Sequence, residues 1–226
     1  MQQTGDAFYF SKRHGMYALM AITVGAGVLR IPFYWWKQIH MAFLIVAVAL
    51  LVVVLIPHVG KRVNGSQRWI SLGFMTLQVS EIAKCAAIVF FSGYLVRRRD
   101  EMHSSWWGFI KPFLVLGLLA VLLLAEPDFG ATVVIGLSTL ALLFLAGAPL
   151  QKFSPFFAVV VVGAAILVVT EPYRLARMMA FIDPWEESVM YKSGYQLTQS
   201  LIAIGRGEWF GVGLGHSVQK LFYLPE

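Results

Sequence analysis

The sequence contains little charge and almost no cysteine. Only 13% of its 226 residues are charged, whereas 58% are apolar. Soluble domains do not have that balance, so we exclude a soluble globular protein and expect membrane helices. The single cysteine, Cys85, excludes an internal disulfide, and we interpret it as a small residue in a helix contact.

The sequence also lacks the motifs of several enzyme classes. Nothing in it matches a Walker loop, a zinc site or a nucleophile elbow. The glycines of residues 211–215 lack the spacing and the preceding strand of a dinucleotide-binding fold. The net charge of +6 is scattered among the loops, which favours contact with anionic lipid headgroups over nucleic acid binding.

Apolar runs, bounded by Arg, Lys, Pro or Gly, predict the fold class: an all-α polytopic membrane protein. We predict a transmembrane region over residues 1–171 and an extracytoplasmic loop with short amphipathic helices over 172–226. The first span is expected to extend through the aromatic residues Tyr34, Trp35 and Trp36. The six predicted spans are 15–29, 41–56, a helix ending at Val96, 112–125, 129–148 and 156–170.

The charge of the short loops predicts the orientation. One side carries seven Lys or Arg residues, with Arg97, Arg98 and Arg99 among them, and the other side carries five. Because basic loops remain in the cytoplasm, we expect the richer side inside and the residues after Glu171 outside.

Glu81 and Lys84 are the first candidate catalytic residues. They lie three residues apart in a helix that is otherwise apolar, and a charge inside a membrane is costly. We therefore expect both side chains at hydrocarbon depth, facing a hydrated chamber. Lys84 could neutralise a pyrophosphate or keep a neighbouring carboxylate ionised, with Glu81 orienting it. Nearer the interface, the pair would be only a salt bridge at a helix start.

Three further charged residues lie in predicted loops. Composition favours an interfacial turn around Arg68, with a phosphate clamp as the sharper alternative. Asp128 is expected to cap the helix that begins near Phe129. Glu126 stays open as a cavity residue. A divalent cation bound by the two carboxylates is an alternative, although the sequence predicts no metal site or cofactor with certainty.

A short amphipathic helix is predicted after Ser193. Its apolar and polar residues fall on different faces, and Gln196 and Gln199 belong to the polar face. That face could hydrogen-bond a sugar, and an ordinary solvated face explains the pattern equally well.

Taken in order, these segments resemble the SEDS family of bacterial shape, elongation, division and sporulation proteins. In residues 196–200 and 217–220, the sequence is more similar to the division member of this family than to its elongation member. The matching segments are NGSQRWI at 64–70, QVSEIAK at 78–84, EPDFG at 126–130, SGYQ at 193–196, GRG at 205–207 and GLGHSVQKLFYLPE at 213–226.

The resemblance implies a ten-helix membrane enzyme, a peptidoglycan glycosyltransferase that polymerises lipid II in the bacterial inner membrane at the division septum. The implied partners are the growing lipid-linked glycan, a class B penicillin-binding protein and other division proteins. Glu81 and Lys84 match the family's charged pair at a central cavity, and Arg68 matches an outer-loop arginine. Gln196, Gln199 and Lys220 match loop positions that could meet sugar or pyrophosphate.

The resemblance also implies that the sequence is a fragment without the first and the last three helices. The family's essential aspartate would follow Glu226, so we expect the fragment alone to be inactive. Two alternatives stay open at this stage: a lipid II flippase, and a division scaffold that recruits a penicillin-binding protein. Against the flippase, we find no repeated halves or discontinuous helices.

Overall fold

The computed structural model describes residues 9–63, 66–71, 73, 76–213 and 218. The chain forms two compact units, Met1–Pro155 and Phe156–Glu226. The described residues contain helices α1 (Tyr9–Leu29), α2 (Phe33–Leu55), α3 (Val79–Arg97), α4 (Arg99–Ser104), α5 (Trp106–Ala125), α6 (Phe129–Leu145), α7 (Leu150–Val169), α8 (Pro172–Ile182), α9 (Glu187–Met190) and α10 (Tyr195–Gly207), and strands β1 (Lys61–Val63), β2 (Ser66–Ser71) and β3 (Thr76–Gln78).

Within the described residues, four helices are long and apolar enough to cross a membrane, namely α2, α3, α5 and α7. Helix α6 is apolar as well, but it has 17 residues. Helix α1 coincides with the first predicted span and has 21 residues, although it is not one of the four. The total of six spans therefore stays a prediction.

The predicted extension of the first span through Trp36 is wrong. Helix α1 ends at Leu29, and Pro32 takes the N-cap position of α2. Proline has no N–H group and disfavours a helical residue before it, so the chain ends one helix and begins another there. The aromatic residues 34–36 consequently form the first turn of α2.

Helix α5 begins earlier than predicted, at Trp106 instead of at Pro112. The hydroxyl of Ser105 caps it by accepting a hydrogen bond of 3.1 Å from the Trp107 amide. Pro112 lies inside the helix and cannot donate to the carbonyl of Gly108, four residues earlier. The Tyr94 hydroxyl of α3 donates to that carbonyl instead, at 2.7 Å. A side chain of the neighbouring helix therefore satisfies the carbonyl that proline leaves without an amide.

A three-stranded antiparallel sheet connects α2 to α3, in the order β1-β2-β3. An interfacial turn was expected in this segment, and its strands were not predicted from the sequence. Trp69 and Ile70 favour extended backbone, and they pair with Gln78 and Leu77 of β3. The Gln67 carboxamide donates 3.0 Å hydrogen bonds to the carbonyls of Val54 and Ile56. It thereby fixes the sheet to the end of α2.

The core of the first unit lies where α2, α3, α5 and α6 meet. Helix α3 contributes small residues, Ala83 and Ala87, which let neighbouring helices approach closely. Larger side chains of α3 and of the other helices fill the remaining space. The buried set includes Leu51, Val54, Phe90, Phe91, Leu119, Leu123 and Ile135.

In the second unit, the predicted amphipathic helices are present as α8 and α10. Thr198 of α10 is completely buried, and its hydroxyl lies 2.9 Å from the carbonyl oxygen of Pro184. This contact joins α10 to the loop that follows α8.

Replacing Tyr94 by phenylalanine should destabilise the first unit, because the Gly108 carbonyl would then lack its donor. We expect the free energy of unfolding to fall by about 1–3 kcal/mol, the cost of leaving a buried polar group unsatisfied. Chemical unfolding in detergent micelles measures the change. Pro112→Ala restores an amide to the helix, so Tyr94→Phe should cost less in that background. Equal costs in both backgrounds would contradict the explanation.

Candidate functional site

The charged residues singled out in the sequence gather at one end of the first unit. Strand β2 pairs with β3, which leads directly into α3, and Arg68 of β2 contacts Asp128 in the turn between α5 and α6, so the sheet, the start of α3 and this turn lie at the same end. We call this the outer end, because the loop charges predict that it faces away from the cytoplasm. Its candidate residues are Arg68, Glu81, Lys84, Glu126 and Asp128.

Arg68 connects the sheet to the turn between α5 and α6. Its Nη1 lies 3.5 Å from Oδ1 of Asp128, and its Nη2 donates to the Ser66 hydroxyl at 2.9 Å. The Arg68 side chain is 29% exposed and the Asp128 side chain 6%, so part of the arginine side chain remains in contact with solvent. The arginine is thus both a connection between elements and an available cation.

Asp128 caps α6, which confirms the sequence prediction. Its Oδ1 accepts a hydrogen bond of 3.1 Å from the Ala131 amide. Its second oxygen, Oδ2, is buried and has no hydrogen-bond partner among the described residues. Asp128 therefore has one oxygen committed to the helix and to Arg68, and one oxygen without a partner.

Glu126 is completely buried, and both of its carboxylate oxygens lack a hydrogen-bond partner within the described part of the chain. It lies in the turn just after α5, outside the apolar helices. Burial and, to a smaller extent, the nearby charge of Asp128 raise the pKa of Glu126 to about 8 against the opposing effect of Arg68. At neutral pH the side chain therefore carries a proton.

Glu81 and Lys84 form an ion pair with 2.7 Å between Oε1 and Nζ. Both lie in the first two turns of α3, since β3 ends at Gln78 and the helix starts at the next residue. The Glu81 side chain is 59% exposed and that of Lys84 24%. This geometry matches the alternative of a salt bridge at a helix start, and the depth of the pair in the membrane stays a prediction. The negative charge of Glu81 also suits the positive end of the helix dipole.

The remaining predicted binding residues lie elsewhere in the chain. Gln196 is exposed and Gln199 half-buried, and both belong to α10 in the second unit. Lys220 lies outside the described residues, as do Asn64 and Gly65 of the matching segment. Among the residues that the structure describes, no three His, Cys, Asp or Glu side chains come together as a metal site requires.

Sequence reasoning missed Ser66 and Gln67. Ser66 is buried and accepts a hydrogen bond from Arg68, while Gln67 fixes the strand to α2. Their position immediately before Arg68 was the available signal. It could not be interpreted, because the segment was not predicted to be a strand.

The sequence of this chain is similar to a known family and to named relatives. A family model described as "Cell cycle protein", for FtsW, RodA and SpoVE, matches residues 1–226. A relative from Hahella chejuensis, named probable peptidoglycan glycosyltransferase FtsW, is 53% identical over 98% of this chain and 55% of its own length. The chain thus spans about half the length of the curated relatives it matches.

Two solved structures share the fold. One, from a study of polymerization and crosslinking by a peptidoglycan synthase complex, is 25% identical with a TM-score of 0.57 and covers 81% of this chain and 55% of the other. The rod shape determining protein RodA of Thermus thermophilus is 22% identical with a TM-score of 0.52, over 81% of this chain and 63% of its own.

These matches confirm the resemblance seen in the ordered motifs, and the helical architecture agrees with it. The apolar helices and the family together also show that the protein is located in a membrane. The chain belongs to the FtsW, RodA and SpoVE family of cell cycle proteins, the SEDS family, and it is a multi-pass membrane protein.

Proposed function

We propose that the complete protein is a peptidoglycan glycosyltransferase that polymerises lipid II into glycan strands during septal wall synthesis. The observation that carries the proposal is the group of cations and carboxyls at the outer end, where Arg68 and Lys84 lie at the starts of β2 and α3. The name of the Hahella chejuensis relative supports the same reaction. The proposed location is the bacterial inner membrane at the septum, with a class B penicillin-binding protein and other division proteins as partners.

The reaction needs a base and a stabilised leaving group. The acceptor hydroxyl loses a proton as it attacks the anomeric carbon, and the lipid-linked pyrophosphate departs with its negative charge. Cations placed beside the departing phosphates lower the barrier. Lys84 and Arg68 are suited to that role, because each side chain is partly exposed to solvent.

The described carboxyls of the outer end are poorly suited to act as the base. Glu126 carries a proton at neutral pH and is closed off from solvent. Asp128 is committed to capping α6 and to Arg68, and Glu81 is paired with Lys84. This distribution supports a base other than these three carboxyls.

Glu81 is proposed to orient Lys84. The ion pair holds the Lys84 side chain in one of its several rotamers. Less conformational entropy is therefore lost when the pyrophosphate binds. Gln196, Gln199 and Lys220 are proposed to contact the sugars or the pyrophosphate.

Replacing Lys84 by alanine in the complete protein should reduce glycan polymerisation by at least a hundredfold, since one charge-stabilising group is worth about 10²–10³ in rate. Gel analysis of the glycan made from lipid II by purified protein measures this loss. Cys85→Ser, one residue further along α3, is the matched control and should polymerise normally. Normal polymer from Lys84→Ala protein, or transport of lipid II without any polymerisation by the unaltered protein, would contradict the proposal.

The link between Arg68 and Asp128 can be tested by a double-mutant cycle. Asparagine can still cap α6, so Asp128→Asn removes the charge and keeps the cap. If the two residues act together, Arg68→Gln and Asp128→Asn should each slow polymerisation, and the double variant should be no slower than the slower single variant. Independent, multiplying effects would show that the ion pair does not matter for activity.

Glu126 predicts a dependence of stability on pH. Its pKa is about 8 in the fold against 4.5 in the unfolded chain, so the folded form retains a proton that the unfolded form has lost. Stability should therefore fall between pH 4.5 and 8, by at most about 1.4 kcal/mol per pH unit, and level off above pH 8. Thermal unfolding in detergent across this range measures the slope. Glu126→Gln should abolish this contribution, and parallel profiles for the two proteins would refute it.

A further inference from the structure

An apolar groove runs along α3 on the side of its exposed face. It has a volume of about 710 Å³ and is lined by the start of α2 and by the exposed edge of α3. That volume falls within the range of about 300–1,000 Å³ that is typical of small-molecule sites. Its apolar lining includes Phe33, Trp36, Ile88 and Val89.

The length of the groove corresponds to one leaflet of a membrane. It extends along α3 from Arg97 to Cys85. The twelve residue steps between them rise about 18 Å in a helix. The hydrocarbon core of a bilayer is about 30 Å thick, so one leaflet contributes about 15 Å. An acyl chain that enters at Arg97 would therefore end near Cys85.

Two cations border the groove, and both lie at the same end. Lys37 and Arg97 are lining residues, and no acidic residue lines the groove within the described part of the chain. The Lys37 ammonium makes no hydrogen bond or ion pair with any residue that the structure describes. Its charge is consequently available to an anion.

Arg97 is held in place at the end of the groove. Its Nε donates to the carbonyl of Gly93 at 3.3 Å, and its Nη2 contacts the imidazole of His40. The His40 ring is buried and stacks on Phe90 with 6.0 Å between ring centroids. These contacts use one side of the guanidinium and orient the residue before any ligand binds.

We propose that this groove binds one anionic phospholipid of the cytoplasmic leaflet, with an acyl chain along α3 and the phosphate at Lys37 and Arg97. Basic pockets between membrane helices on the cytoplasmic side are known to select such headgroups. Arg97, Arg98 and Arg99 lie at this end of the helices. Because basic loops remain in the cytoplasm, we expect this end to face the cytoplasm. The inference stands apart from the proposed reaction, since Arg68 and Lys84 lie toward the opposite end of the helices.

The test uses the full 226-residue chain in phosphatidylcholine vesicles. Phosphatidylglycerol or phosphatidylcholine carries a spin label near the end of one acyl chain, and the immobilised fraction is measured by electron spin resonance. We expect about one preferred phosphatidylglycerol per chain. Lys37→Gln should weaken its association about fivefold, the effect of one basic residue near an anionic headgroup.

Two further variants separate a site from general surface charge. Arg30 is basic and at the same end, but it does not line the groove, so Arg30→Gln is the matched control and should leave the preference unchanged. Ile88→Trp fills the groove and should abolish the preferred association while both cations remain. Equal association of the two lipids, or equal loss in the Lys37 and Arg30 variants, would overturn the proposal. It would also be overturned if a polyprenyl pyrophosphate displaced the phosphatidylglycerol label at equal concentration.

Discussion

The ion pair between Arg68 and Asp128 is the interaction on which the outer end depends. The sheet between α2 and α3 is short, and the turn between α5 and α6 has few residues, so neither could position a charged group by itself. The pair joins them across 3.5 Å, and Asp128 at the same time starts α6. One carboxylate thus determines where a helix begins and where a cation stands. This double use explains why Asp128 is buried although it is charged.

The protonated Glu126 follows from the same arrangement. Two carboxyls separated by a single residue lie near one arginine, and both carboxyl side chains are buried. Arg68 and the Ala131 amide contact Asp128, whereas the Glu126 oxygens have no hydrogen-bond partner among the described residues. Burial without such a partner favours the protonated form of Glu126.

The sequence predicted the membrane helices and the family well, because both signals are local. A long apolar run has few alternatives, and the ordered motifs identify the family without any geometry. The capping by Asp128 was also predictable from its place before a helix. Two features were not predictable, because they depend on contacts between elements. These are the strands around Arg68 and the start of α5 ahead of Pro112, where the bond from Tyr94 to Gly108 replaces a helix hydrogen bond.

Gln67 and Arg68 are consecutive residues of β2, so their side chains leave opposite faces of the strand. The first is bonded to the carbonyls at the end of α2, and the second to the turn between α5 and α6. A slip of β2 by one residue would exchange the two faces and break both attachments together. The end of α2 and the turn between α5 and α6 are thereby tied to a single strand register, and a wrongly paired hairpin would lose both attachments.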